Sequence, residues 1–200
     1  MVVLKIEHLS IKYVKQFYSL YNFCVELNDG DKLQLIGDEM SGNSFVLRAV
    51  AGIDKFYSGK IRTDIDRHDI GYAPKVPTLF ENKSVLYNLC YPNLIRHLTA
   101  SESENIALSV LNKYDMDYLA DRMASSLNDE EKYIVSLLRL CVRKVCLLLI
   151  DYFPNKKAQK IVKDLVKDCN MCMIATTNKT ELGTSLELNM ANGSIKKELK

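Results

Sequence analysis

The residue types best suited to chemistry sit between two apolar runs. Gly37-Asp38-Glu39-Met40-Ser41-Gly42-Asn43-Ser44 follows KLQLI and precedes FVLRAVAG. A phosphate-binding P-loop has the form GxxxxGK[ST] between a strand and a helix, where backbone N–H groups and the helix start hold an anion. Both glycines and the serine are present, and Asn43 stands at the lysine position. A unit charge about 4 Å from a phosphate oxygen contributes on the order of 4 kcal/mol at an effective dielectric near 20. An amide donates a hydrogen bond but brings no such charge. Asp38 and Glu39 add two carboxylates where an anion would sit, and Met40 lacks the backbone freedom of a glycine. Ser44 keeps a hydroxyl suited to magnesium.

The remaining reactive residue types form no comparable pattern. Cys24, Cys90, Cys141, Cys146, Cys169 and Cys172 lie mostly inside apolar stretches, and a disulfide framework would require a secretory context that the N-terminal sequence does not suggest. Cys169-Asn-Met-Cys172 has CxxC spacing, but no second such pair and no neighbouring histidine complete a zinc site. It leads into an apolar run rather than opening a helix, so we read these thiols as buried and structural. His8, His68 and His97 are scattered and share no metal spacing.

These residues must be positioned by ordinary elements. VVLKIEHLSIKY reads as a strand by its partial alternation. FCVELNDGDKLQLIG reads as a strand, an Asp-Gly turn and a second strand stopping at Gly37. FVLRAVAG has helical spacing and a C-terminal Gly52. SGKIRTDIDRHDIGYAP is short, polar and strand-like. Ser84 caps SVLYNLCYP. SESENIALSVLNKYDMDYLADRM predicts two helical stretches, with Ser101 and Glu104 in capping-box spacing. LNDEEKYIVSLLRLCVRK predicts an amphipathic helix with an acidic start. VCLLLIDYFP and MCMIATTN read as buried strands around the helix NKKAQKIVKDLVKDC, whose lysines form a solvated face. The order implies an α/β domain with parallel core strands and a helical insertion.

Composition agrees with this. The chain has 200 residues, 48% hydrophobic and 26% charged, with 8 Gly and 4 Pro, which excludes collagen-like, mucin-like and disordered classes. A net charge of +2 supplies no global field for nucleic acid or an anionic membrane. The run VCLLLI is too short to span a bilayer, and MVVLKIEHLS has no secretory pattern. The expectation is a soluble, cytoplasmic protein.

Over nearly its whole length the chain resembles the ATP-binding domain of ABC transporters. FVLRAVAGIDKFYSGKI resembles the stretch after that family's P-loop. IGYAPKVPTLFENKSVLYNLCYP resembles its Q-loop segment. LADRMASSLNDEEKYIVSLLRLCVRKVCLLLIDYF resembles the signature helix running into Walker B, and Asp151, 24 positions after Leu127, aligns on that segment without a gap. Thr176-Thr177-Asn178 is similar to the end of the strand carrying the switch histidine. The resemblance implies a P-loop NTPase fold: a mostly parallel sheet core with a helical subdomain and a reduced antiparallel β-subdomain. It implies one domain over 1–200, with a RecA-like core at about 1–75 and 136–200 and a helical subdomain at about 76–135.

The resemblance also implies a vestigial nucleotide site of Tyr13, Gly37, Ser41, Gly42, Asn43, Ser44, Phe45, Lys75 and Asp151. Tyr13 falls where the family stacks an aromatic on adenine, and Ser44 with Asp151 is the vestigial magnesium pair. The departures fall on the chemistry. Besides Asn43, Lys75 replaces the Q-loop glutamine, and a lysine cannot ligate magnesium. The signature becomes Leu127-Asn128-Asp129-Glu130-Glu131, acidic where a phosphate should dock. Tyr152 stands at the catalytic glutamate, and a phenol is a poor general base at neutral pH. Asn178 stands at the switch histidine. We therefore expect no catalytic residues and no cofactor, or ATP with magnesium if the site is retained. The implied role is a catalytically inactive structural or regulatory subunit of an ABC transporter or related membrane assembly. Its partners would be a membrane subunit docking near Lys75 and Phe80, another ATP-binding subunit, or both. Neither nucleic acid nor direct membrane insertion is expected, and any membrane association would come through a partner. Two alternatives stay open: an atypical ATPase in which Lys75 supplies the missing charge to slow, transport-linked hydrolysis, and an ATPase-fold protein serving another cytosolic process.

Overall fold

The computed structural model describes residues 2–14, 17–38, 41–55, 57–153, 155–177, 181–191 and 194–196. Two compact units share the chain: residues 1–72, 145–152 and 166–200 form one, and 73–144 with 153–165 form the other.

The first unit holds two sheets. Strands β1 (Val2–Val14), β2 (Phe17–Asn28) and β4 (Ser58–Thr63) pair antiparallel in the order β2-β1-β4. The larger sheet has the order β5-β6-β7-β3-β8-β9. It comprises β3 (Lys32–Ile36), β5 (Ile70–Ala73), β6 (Leu147–Ile150), β7 (Met171–Thr176), β8 (Leu186–Ala191) and β9 (Ser194–Lys196). Strands β6, β7, β3 and β8 run parallel, and β9 closes on β8 antiparallel.

The continuous apolar runs of β6 and β7 are buried at every position, as expected of parallel strands covered on both faces. Helix α1 (Asn43–Val50) packs on β7. Its Val46, Leu47 and Val50 join Leu4, Phe23, Leu33, Leu149 and Met173 in one core uniting both sheets.

The Asp-Gly turn is where it was read, with Asp31 N–H donating to Asn28 O at 3.1 Å. It joins no hairpin, because β2 pairs with β1 while β3 enters the other sheet. The central residues of β3 are all buried, a pattern that fits a parallel core strand rather than one arm of a half-exposed ribbon.

The second unit is helical, with α2 (Val85–Leu94), α3 (Ala100–Lys113) and α4 (Asp129–Cys141) packed on one another. Helix α5 (Lys156–Asp168) lies within this unit up to Leu165. Tyr114 ties the end of α3 to α5 by donating to Asp164 Oδ2 at 3.1 Å. Ser84 caps α2 as read, accepting from Tyr87 N–H at 3.1 Å.

The start of α3 corrects the sequence reading. The capping box is Thr99 with Glu102, two residues before the expected pair, and Ser101 falls inside the helix. Thr99 holds extended backbone, which a cap requires. The second helical stretch after it is reduced to short 3-10 turns at Asp117–Leu119 and Ala124–Ser126. Asp115 adopts φ 55, which ends the α-helical path.

Candidate functional site

The loop from β3 to α1 is built by close contacts that its residue types permit. Gly37 N–H donates to Thr176 O at 2.9 Å, fastening the loop's root to the end of β7. A Cβ on Gly37 would lie 2.5 Å from Ser41 Oγ and 2.9 Å from Met190 O, so only glycine fits. Ser41 is buried, and its N–H and hydroxyl both donate to Asp38 O, at 3.1 and 2.7 Å. Gly42 takes φ 89 and ψ 4, a left-handed conformation that turns the chain into α1. No side chain caps that helix start and no acid occupies its first turn. Phe45 is half-buried against the core. Glu39 and Met40 lie outside the described residues.

Asn43 is only 6% exposed. Its Nδ2 donates back to Leu35 O of β3 at 3.3 Å, and its buried Oδ1 has no hydrogen-bond partner. One N–H of the amide is thus turned to the strand, and its other polar atom is an acceptor.

Asp151 lies directly after β6. Its Oδ1 accepts from Ser44 Oγ at 2.6 Å and its Oδ2 from Tyr72 OH at 3.3 Å. The pairing of Ser44 with Asp151 was expected; Tyr72 was not. The signal available for it was Ile70-Gly71-Tyr72-Ala73, a strand pattern placing a hydroxyl just before Lys75. Its phenol is pushed far above the ordinary tyrosine range, first by burial and then by the Asp151 charge, so it stays a donor.

Magnesium requires oxygen ligands in near-octahedral array. Ser44 Oγ keeps its lone pairs while it donates to Asp151 Oδ1, whereas the Tyr72 hydroxyl faces Oδ2 as a donor that a cation at that oxygen would have to displace. Among the described residues no group of three or more His, Cys, Asp or Glu side chains is placed to hold a metal. Tyr152, next along the chain, is exposed. Tyr13 belongs to β1, but its ring, like Asn178, lies outside what is described.

The second unit carries the other expected residues. Lys75 is exposed there, as is Val76. Buried Asn88 clamps the turn that follows: its Oδ1 accepts from Phe80 N–H at 2.8 Å, and its Nδ2 donates to Phe80 O and Ser84 O at 3.2 and 2.9 Å. Phe80 stacks edge-on to Tyr91 and Tyr87, at 4.7 and 6.1 Å between centroids, with Lys83 over the Tyr87 ring. Phe80 and Tyr87 remain 39% and 37% exposed. Arg139 braces the same segment, donating to Thr78 O at 2.6 Å.

The start of α4 is closed by its own side chains. Asn128 Oδ1 accepts from Glu131 N–H at 2.8 Å, and Glu131 Oε2 accepts from Asn128 N–H at 3.0 Å. Glu131 also pairs with Arg122 at 3.0 Å, and Glu130 accepts from Asn155. None of the six cysteines is in a disulfide. Cys169 and Cys172 are buried at the junction of α5 and β7, and Cys172 is held as a thiol by its hydrogen bond to Cys169 and by burial. Cys24, by contrast, is exposed.

A mostly parallel sheet in which one strand leads through a glycine-containing loop into a helix, with the strand preceding Asp151 two places along the same sheet, defines a P-loop NTPase fold. Within that class, residues 20–152 match the family model for ABC transporters, and the chain belongs to that family. It is 27% identical over 174 residues to the molybdate/tungstate import ATP-binding protein of Methanocaldococcus jannaschii, covering 83% of this chain and 58% of that protein. It is 25% identical over 183 residues to the sulfate/thiosulfate import ATP-binding protein of Nephroselmis olivacea, covering 86% and 53%. The chain spans about half the length of the curated relatives it matches. Among solved structures, the bacterial ABC transporter cassette MJ0796, seen as a dimer, superposes with a TM-score of 0.84 at 19% identity, covering 98% of each chain. CbiO1 of Clostridium perfringens superposes at 0.76 with 21% identity, covering 97% of this chain and 86% of that one.

Proposed function

We propose that this chain is a non-hydrolysing ABC-type ATP-binding domain that serves a transporter or related membrane assembly as a structural or regulatory subunit. The observation that carries this reading is Asn43, whose donor is turned away to Leu35 O at the place of the phosphate-binding lysine. Three further features support it. Tyr152 brings a phenol rather than a carboxylate to the position after Asp151. The first turn of α4 carries three acids and is closed by a capping box between Asn128 and Glu131. The carboxylate of Asp151 is engaged by two hydroxyls. If nucleotide binds, the start of α1, which no side chain caps, and the backbone of Gly42 to Ser44 are what would hold its phosphates.

No helix among the described residues is long and apolar enough to cross a membrane. We place the protein in the cytoplasm, at the membrane through a partner. The exposed pair of Phe80 and Tyr87, in the segment that follows Lys75, is the surface offered to a membrane subunit, and a second ATP-binding subunit is the other partner. The relatives are named for several unrelated imported solutes, which supports transport in general and no particular substrate.

The test is titration calorimetry and phosphate release with millimolar Mg-ATP. The expected result is no heat beyond dilution and no release above buffer, with Asn43→Lys alone leaving release at that level because Tyr152 still lacks basicity. Saturable hydrolysis lost in Asp151→Asn would overturn the reading in favour of an atypical ATPase.

A further inference from the structure

The mismatch between Asp151 and the magnesium ion that the fold family implies points to one residue. Strand β5 lies beside β6 in the sheet, which sets Tyr72 next to the aspartate that follows β6. We propose that Tyr72 closes the Asp151 carboxylate to divalent cations, so that nucleotide binding at this site gains nothing from magnesium. The proposal deepens the non-hydrolysing reading and rests on it for the identity of the site.

One contact must give way before a cation can use both carboxylate oxygens. Ser44 donates its proton to Oδ1 and keeps its own oxygen lone pairs, so that bond leaves a metal's place open. Tyr72 donates to Oδ2, and its ring is half-buried, so the phenol cannot simply swing into solvent. A hydrogen bond to a charged group is worth roughly tenfold or more in an equilibrium constant. Phenylalanine at this position keeps the ring and removes the donor.

Two readouts on the full chain test this. The first uses manganese(II) chloride alone, following loss of the free-ion paramagnetic resonance signal. The wild type should leave the signal unchanged at millimolar ion; a bound ion that Asp151→Asn abolishes overturns the proposal. The second compares ATP binding in excess EDTA and in excess magnesium for Asn43→Lys and for Asn43→Lys/Tyr72→Phe, both checked for folding by circular dichroism. The single variant should bind equally in both buffers, and the double variant should bind about tenfold more tightly with magnesium. A magnesium preference in the single variant, or none in the double, overturns the proposal. So does absence of ATP binding by both, since Tyr72 would then not be what limits the site. Tyr72→Trp serves as the second variant should the phenylalanine protein not fold; it also lacks the phenol, and the same gain is expected. Hydrolysis by the wild type with no metal at Asp151 would sink the functional reading alone, whereas a metal there without hydrolysis would sink only this inference.

Discussion

Two helices of this molecule begin in opposite ways. Helix α1 starts at a left-handed Gly42 with no side-chain cap and no acid in its first turn. Helix α4 starts at Asn128 with a reciprocal capping box and three acids. Every α-helix leaves its first N–H groups without partners inside the helix. At α4 the chain supplies partners for two N–H groups, those of Asn128 and Glu131, and the acids also suit the positive end of the helix dipole. At α1 no side chain caps them, behind a loop shaped by Gly37 and Ser41. The contrast shows that the shape of an anion cradle and its charge are separable. Backbone conformation at Gly37 and Gly42 maintains the one, while position 43 governs the other.

This contrast can be broken from either side. The largest effect belongs to the packing beneath α1. Leu47 is fully buried in the core shared by the two sheets, so Leu47→Ala should cost about 2–5 kcal/mol, read as a lowered urea midpoint. Next is the loop's shape. Gly37→Ala sets a methyl against Ser41 and the Met190 carbonyl, so a loss of about 1–3 kcal/mol is expected in the same measurement. A neutral result there would mean the loop tolerates another conformation. Removing the cap of α4 is smaller: Asn128→Ala should lower stability by about 1 kcal/mol. The equivalent experiment does not exist for Gly42, which has no side-chain bond to lose.

The smallest effect concerns pH. Hydrogen bonds from Thr99 hold the Glu102 carboxyl below the usual glutamate range. A lowered folded pKa contributes stability that is complete above the unfolded value and disappears as pH falls through the folded one. Glu102→Gln should therefore lower the melting temperature slightly at pH 7, and the difference should vanish toward pH 3. A difference that stays constant across that range would remove Glu102 ionisation from the account of this cap.

Much of this arrangement was legible in the residues. The unbroken apolar runs of β6 and β7, and the acidic amphipathic pattern of α4, state their elements locally. The glycine spacing around Ser41 located the loop, and Asp151 followed from the strand before it. What escaped depends on pairing across the chain. Tyr72 meets Asp151 only because β5 lies beside β6, which no local pattern around residue 72 specifies. The Asp29-Gly30 turn reads like a hairpin, and only the pairing of β2 with β1 sends β3 to another sheet. At α3 two overlapping capping-box spacings compete, and the extended backbone at Thr99 decides between them.

The clamp made by Asn88 has a consequence for association thermodynamics. Three hydrogen bonds from one buried amide already fix the turn bearing Phe80. The conformational entropy of that turn is therefore lost when the chain folds, not when something lands on it. A protein that docks on Phe80 and Tyr87 meets a rigid aromatic platform, and its affinity escapes the ordering penalty that a floppy loop would impose.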